Sequence, residues 1–248
     1  MVGKSRSVPY TAAAIVVAAG SSSRMGGKVR KPYLVLRGRP ILAWTLSALA
    51  HVQGLRQIVL VTRPEDRRRA QAAAKLARIP PSINLGWAEG GPRRQDSVFN
   101  GLRAADESDL VLIHDAARPF PSRAAISAAC AQAFTLGAAI LACRVKDTVK
   151  RAAGGNLQPP QIETTLSRDG LWLAQTPQVF KRKLILELFT RLRREAPARE
   201  VTDDAALCEL YEQPVALIES SEINLKVTRS EDLAIASAYL SARLWRDL

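Results

Sequence analysis

Short apolar runs rich in Val, Ile and Leu alternate along this chain with longer stretches whose apolar positions repeat at helical spacing. The runs predict strands at 13–19 (AAIVVAA), 57–62 (QIVLVT), 109–115 (DLVLIHD), 138–145 (AAILACRV), 214–219 (PVALIE) and 224–228 (NLKVT). Helices are predicted between and after them, at 40–50, 64–78, 94–105, 122–134 and 230–245. Pro40 and Pro64 stand where a first-turn proline belongs, and Ser230 followed by Glu231 and Asp232 reads as a cap with acids at the helix's positive end. Strands alternating with helices imply an α/β, Rossmann-like fold, a mainly parallel sheet covered on both faces. Ligands of such sheets bind beyond the carboxyl ends of the strands. The rhythm breaks between Lys146 and Gln175, where polar alternation, a Gly-Gly-Asn turn and a Pro-Pro pair predict a projecting β-hairpin arm.

A length of 248 residues suits one domain, expected over 13–248 behind an N-terminal extension at 1–12. No apolar run approaches the roughly 18 residues of a membrane span, and the basic start lacks an apolar signal core. No membrane association and a cytoplasmic location are therefore expected. Cys130, Cys143 and Cys208 are far apart in Ala- and Leu-rich surroundings and read as buried thiols. With two histidines in the chain, any metal should be a hard, oxygen-ligated ion such as Mg²⁺. The net charge of +13 raises the question of nucleic acid, but the 5% of aromatic residues do not interleave with the basic runs as a stacking platform would. An anionic small molecule is the better match.

Candidate chemistry gathers in the loop after the first strand, GSSSRMGGKVRK. It is neither a dinucleotide fingerprint nor a P-loop, because the glycine spacing fits neither and Val29 follows Lys28. Its small residues would let a ligand approach the backbone, while Arg24, Lys28, Arg30 and Lys31 would neutralise a polyanion. Asp115 ends a buried-type strand, with Arg118 three residues on, and could orient Mg²⁺ carried by a nucleotide triphosphate. The other reading of Asp115 is a cap for the helix near Ser122. His114 is expected to be a strand residue pointing the other way.

The ordered set AAGSSSRMG, GGPRRQDSV, HDAARPF, KDTVKRA, LAQTPQVF, VTDDAAL and NLKVTRSEDLAIA resembles the 2-C-methyl-D-erythritol 4-phosphate cytidylyltransferases over roughly residues 13 to 241. The resemblance implies a nucleotidyltransferase in which the phosphate of methylerythritol phosphate attacks the α-phosphate of CTP and releases pyrophosphate. It assigns transition-state stabilisation to Arg24 and Lys31, and contacts to cytosine and ribose to Ala18, Ala19, Gly20, Gly91 and Ser97. Asp115 matches a carboxylate near the Mg²⁺–triphosphate. Thr148, Arg168 and Lys226 match groups that hold the acceptor phosphate, and the arm is expected to cross to a partner in a homodimer. Two departures stand out: Lys31 is followed by Pro32, which is expected to push it towards extended geometry and leaves Lys28 as the other candidate lysine, and Pro92 follows the Gly-Gly pair where an acid is usual. A cytidylyltransferase for another polyol phosphate, such as ribitol 5-phosphate, and a non-catalytic nucleotide- or RNA-binding module are the alternatives.

Overall fold

The computed structural model describes residues 8–20, 29–154 and 158–242. A seven-stranded sheet organises them. Its strands are β1 (Ala12–Val17), β4 (Leu55–Thr62), β5 (Asn84–Glu89), β6 (Leu110–Asp115), β7 (Ala138–Arg144), β10 (Trp172–Lys181) and β11 (Ala216–Glu219), in the order β11-β7-β10-β6-β1-β4-β5. Every neighbouring pair is parallel except the two made by β10, which runs antiparallel to both β6 and β7. Two small antiparallel ribbons stand outside it, β2 (Val35–Leu36) with β3 (Arg39–Pro40) and β8 (Val149–Ala152) with β9 (Ile162–Leu166).

The helices are α1 (Ile41–Leu49), α2 (Arg67–Ala77), α3 (Arg94–Ala104), α4 (Arg123–Leu136), α5 (Arg182–Glu195), α6 (Ala205–Leu210) and α7 (Ser230–Ser241). The strand sequence explains why helices cover both faces. In β1, Ala12, Ala14 and Val16 pack with α1, α2 and α4, whereas Ala13 and Ile15 pack with α3, α5 and α6. A strand buried on both sides has no polar face to show, so it reads as a continuous apolar run. A third cluster seats α7 against Leu36, Ile41 and Phe120. Gly137, at φ 113°, ends α4 in a backbone region closed to most side chains and turns the chain into β7.

Several expected elements are corrected. Residues 224–228 are not a strand but a loop whose backbone is bonded to neighbouring loops, the Val227 N–H to the Ala117 carbonyl at 2.9 Å among them. Ser230 is the first helical residue rather than the cap, and Asp232 accepts the Thr228 and Arg229 N–H groups instead. The segment expected as an arm does hold the β8–β9 ribbon, but its last residues, from Trp172, open β10 and pair with β7. Ala12 opens β1 and Tyr10 is buried in the core, so the end of the expected extension packs with the domain. β5, β10 and α6 were not expected.

Candidate active site

The sheet has a topological switch point between β1 and β6: from β1 the chain winds outwards to β4 and β5, then crosses to β6 on the other side. At such a point open α/β sheets form their ligand crevice, outside the carboxyl ends of the strands. Val17 lies opposite Asp115 in register, so Ala18, Ala19 and Gly20 leave the sheet beside that carboxylate.

On one side of the crevice is a close-packed backbone corner. Ala18 donates its N–H to the Val61 carbonyl at 2.8 Å, and Arg63 Nε donates to the Ala19 carbonyl at 2.9 Å. The chain after β5 passes so near that a Cβ on Gly90 would stand 2.2 Å from the Ala19 Cβ. Only glycine fits that approach. Gly91 donates its N–H to Ser97 Oγ at 3.0 Å, and Ser97, buried in the first turn of α3, donates onward to the Arg93 carbonyl at 3.2 Å. The expected contacts Ala18, Ala19, Gly91 and Ser97 thus share one corner, and among the described residues no atom lies within 4 Å of a Cβ placed on Gly20. Gly90 had no role in the sequence reading.

On the other side is Asp115, its side chain 13% exposed and ringed by cations. Lys226 Nζ is 2.7 Å from Oδ2, Arg94 Nε 3.4 Å from Oδ1 and Arg118 Nε 3.9 Å from Oδ2. Burial opposes ionisation of this carboxyl, but Arg94 and Lys226 outweigh it and hold it well below the usual carboxylate range. Arg94 also reaches the buried Asp204 at 2.8 Å; burial works against its charge, and Asp204 and Asp115 together raise its pKa. Three cations against two carboxylates leave the cluster net positive, as an anionic ligand requires. Asp115 does not cap α4; Ser122 does, accepting the Ala125 N–H at 3.3 Å.

His114 is fully buried between β6 and β10. Its Nε2 lies 3.0 Å from the Arg118 carbonyl, which can only accept, so Nε2 carries the proton. Nδ1 then accepts from the Thr176 hydroxyl at 3.1 Å, and the Thr176 oxygen takes the Asp115 N–H at 3.1 Å. Burial lowers the imidazole to about 4, which keeps it neutral. Next to it, Asn224 donates to Gln175 Oε1 and to the Thr176 carbonyl, each at 2.9 Å, and its own carbonyl accepts from Arg118 at 2.7 Å. These bonds replace a strand ladder for the 224–228 loop and aim Lys226 at Asp115.

Arg24 and Lys28 lie outside the described residues. Lys31 opens a 3-10 turn, Lys31–Tyr33, rather than an extended stretch: Pro32 occupies its second position, where the missing N–H is not needed. Arg30 is corrected as a phosphate candidate. It is bound to the buried Asp66 and lies 2.8 Å from Glu65, so it anchors the loop to the start of α2. Thr148 and Arg168 are exposed at the base of the β8–β9 ribbon, where Arg168 donates to the Lys146 carbonyl. Among the described residues, no hydrogen bond or ion pair joins them to Asp115 or Lys226. The described residues hold no group of three or more His, Cys, Asp or Glu placed for a metal, and no helix long and apolar enough to cross a membrane. Arg94 and Asp204 were missed as site residues, although GGPRRQDSV and VTDDAAL had been singled out as motifs.

This geometry has close relatives. The family model for 2-C-methyl-D-erythritol 4-phosphate cytidylyltransferase matches residues 12–242. The chain is 40% identical over 242 residues to the protein of that name from Pelotomaculum thermopropionicum, covering 94% of this chain and 96% of the relative. It is 39% identical to that of Geobacillus kaustophilus, covering 93% and 97%. Among solved structures, 4-diphosphocytidyl-2C-methyl-D-erythritol synthase from Anaerococcus prevotii superposes with a TM-score of 0.79 at 32% identity, covering 93% of this chain and 96% of that one. The 2-C-methyl-D-erythritol 4-phosphate cytidylyltransferase of Thermus thermophilus gives 0.71 at 30% identity, covering 92% and 98%. With a charged switch-point crevice, a matching fold and matches over nearly the whole length, the chain belongs to the 2-C-methyl-D-erythritol 4-phosphate cytidylyltransferase family.

Proposed function

We propose that the chain performs its family's reaction, transfer of CMP from CTP to 2-C-methyl-D-erythritol 4-phosphate, in the crevice between β1 and β6. An oxygen of the acceptor phosphate attacks the α-phosphorus of CTP, and the bond from that phosphorus to the β-phosphate oxygen breaks, so that pyrophosphate leaves with its electron pair. The observation that supports this most directly is the Asp115 cluster, a carboxylate under three cations beside the backbone corner of Ala18, Ala19 and Gly91. The transfer asks little covalent chemistry of the protein; the work is alignment and charge neutralisation.

In this reading the Ala18–Gly20 and Gly90–Ser97 backbones hold the cytidine, and Arg24 and Lys31 stabilise the charge that develops on the α-phosphate. Lys226 sets the acceptor phosphate in line. Thr148 and Arg168, on the exposed ribbon, would serve the site of a second copy in a homodimer. The donor set suits a divalent ion brought by the nucleotide: Asp115 is ionised, faces the crevice and would share such an ion with triphosphate oxygens. Mg²⁺ bound there would supply further neutralisation of the departing pyrophosphate. Three buried, unpaired thiols suit a cytoplasmic setting.

The test is pyrophosphate release from CTP and Mg²⁺ with each acceptor in turn. Release with 2-C-methyl-D-erythritol 4-phosphate and none with ribitol 5-phosphate is expected. The reverse would reassign the acceptor, and no release with any acceptor, together with tight salt-sensitive RNA binding, would point to a binding module.

A further inference from the structure

A cavity of about 740 Å³ lies apart from the crevice described above. It lies on the outer side of α1, between the C-terminal turn of α2 and the Pro119–Pro121 segment that leads into α4. The two sites are separated by α1 itself. Thr45 points inwards and donates to the Ala116 carbonyl at 2.9 Å, whereas Trp44, Ser47 and Ala48 of the same helix face the cavity.

Its chemistry is of two kinds. Trp44, Leu76, Phe120 and Pro121 give it apolar walls, while Arg39, Lys75, Arg78 and Arg123 bring four cations, and its lining includes no acidic side chain. Elsewhere cations are ion-paired to carboxylates, as at Asp115, Asp66 and Asp96. Here, among the described residues, none of the four is ion-paired. Arg39 shows the cost: it is half-buried over the Trp44 ring at 4.5 Å, and burial and the neighbouring Arg78 both lower its pKa. Arg39 is fixed in place by Ser47 Oγ at 3.0 Å and the Leu76 carbonyl at 2.7 Å, so the positive wall is preformed. Arg123 begins the 14-residue α4, whose N-terminal N–H groups add positive potential at the rim. A volume in the range of about 300–1,000 Å³ suits a small organic ligand.

We propose that this cavity is a second ligand site, which takes an organic phosphate with an apolar body: the body lies against Trp44, Leu76 and Phe120, and the phosphate meets Lys75, Arg78 and Arg123. Occupancy is independent of CTP, because α1 stands between the two sites.

The probe is 1-naphthyl phosphate, titrated into the full chain by calorimetry with and without saturating CTP. One binding event per chain is expected, unchanged by CTP, and at least tenfold weaker for 1-naphthol and for inorganic phosphate. The K75E/R123E variant, which alters two exposed side chains, should lose at least tenfold in affinity for the probe and keep its CTP affinity and melting temperature. Displacement of the probe by CTP, equal binding of 1-naphthol, unaltered affinity in the variant, or no binding at millimolar concentration would each overturn the proposal. Should the variant fail to fold, R78N gives the same comparison, since Arg78 is exposed at φ 54°, where asparagine is well tolerated.

Discussion

Replacing His114 with glutamine tests how the catalytic loop is held, through the dependence of stability on pH. A glutamine can donate to the Arg118 carbonyl and accept from Thr176 as the imidazole does, but it cannot take up a proton. The ordinary imidazole pKa of 6.5 is lowered by burial to about 4 in the folded chain. Between those values the unfolded chain binds a proton that the folded one refuses, so ν_U exceeds ν_N and stability rises with pH. The contribution is therefore complete above pH 6.5, declines as the pH falls, and levels off below about 4. The full loss is about 3 kcal/mol, of which about 2 kcal/mol should be gone between pH 7 and pH 5.

The assay is urea unfolding of both proteins at intervals between pH 7.5 and 4. Other titrating groups affect both alike, so the difference between the two stabilities isolates His114. That difference should be flat above pH 7 and then fall with decreasing pH, the wild type losing more. A flat difference throughout would mean that His114 is not buried neutral, and the assignment of its proton to Nε2 would fail with it.

Three further outcomes are expected. Arg24→Ala and Lys31→Ala should each lose about 3 kcal/mol of transition-state stabilisation, roughly a hundredfold in kcat, with unchanged melting curves, whereas Lys28→Ala should stay near wild type; the opposite pattern for the two lysines in steady-state kinetics would move the role to Lys28. Gly90→Ala puts a methyl group where the Ala19 Cβ already stands, so the backbone corner must open; a loss of about 1–3 kcal/mol in stability and a raised KM for CTP are expected from unfolding curves and initial rates, and an unaffected enzyme would show that the corner is not rigid. Mixing inactive Arg24→Ala and Arg168→Ala proteins should restore roughly a quarter of wild-type turnover, since half of the random dimers would each hold one intact site; no recovery would mean that the ribbon serves its own subunit.

The parallel part of the sheet was legible because burial on both faces leaves no polar positions to confuse the pattern. β1, β4, β6 and β7 fall within a few residues of their apolar runs. The edge strand β5 was missed for the opposite reason: NLGWAE is half exposed, with Gly86 inside it, and shows neither a run nor a clean alternation. The site was legible where one short segment carries it. Asp115 with Arg118, and the Ser97 turn, are local. The pairing of Arg94 with Asp204 spans 110 residues, and no periodicity encodes it.

β10 shows why a strand can sit near the centre of a sheet and still not read as one. Its middle, Gln175 to Gln178, is polar and contains Pro177, and its register with β7 slips between Ala174 and Gln178. Each of those polar side chains is buried and spent on a different loop of the crevice. Gln175 Oε1 accepts from Asn224, Thr176 joins His114 to the Asp115 N–H, and Gln178 Oε1 accepts the N–H groups of Asp204 and Ala205, each at 3.0 Å. An apolar strand at this place would pack as well and would leave those loops without partners. A buried polar group is stable only when it is bonded, so each of these side chains also fixes the position of whatever it bonds. The local irregularity that hid β10 in the sequence therefore has one physical cause with its role in the fold: the strand gives up regular pairing and an apolar face in order to hold Asp115, Lys226 and Asp204 in a single charged cluster.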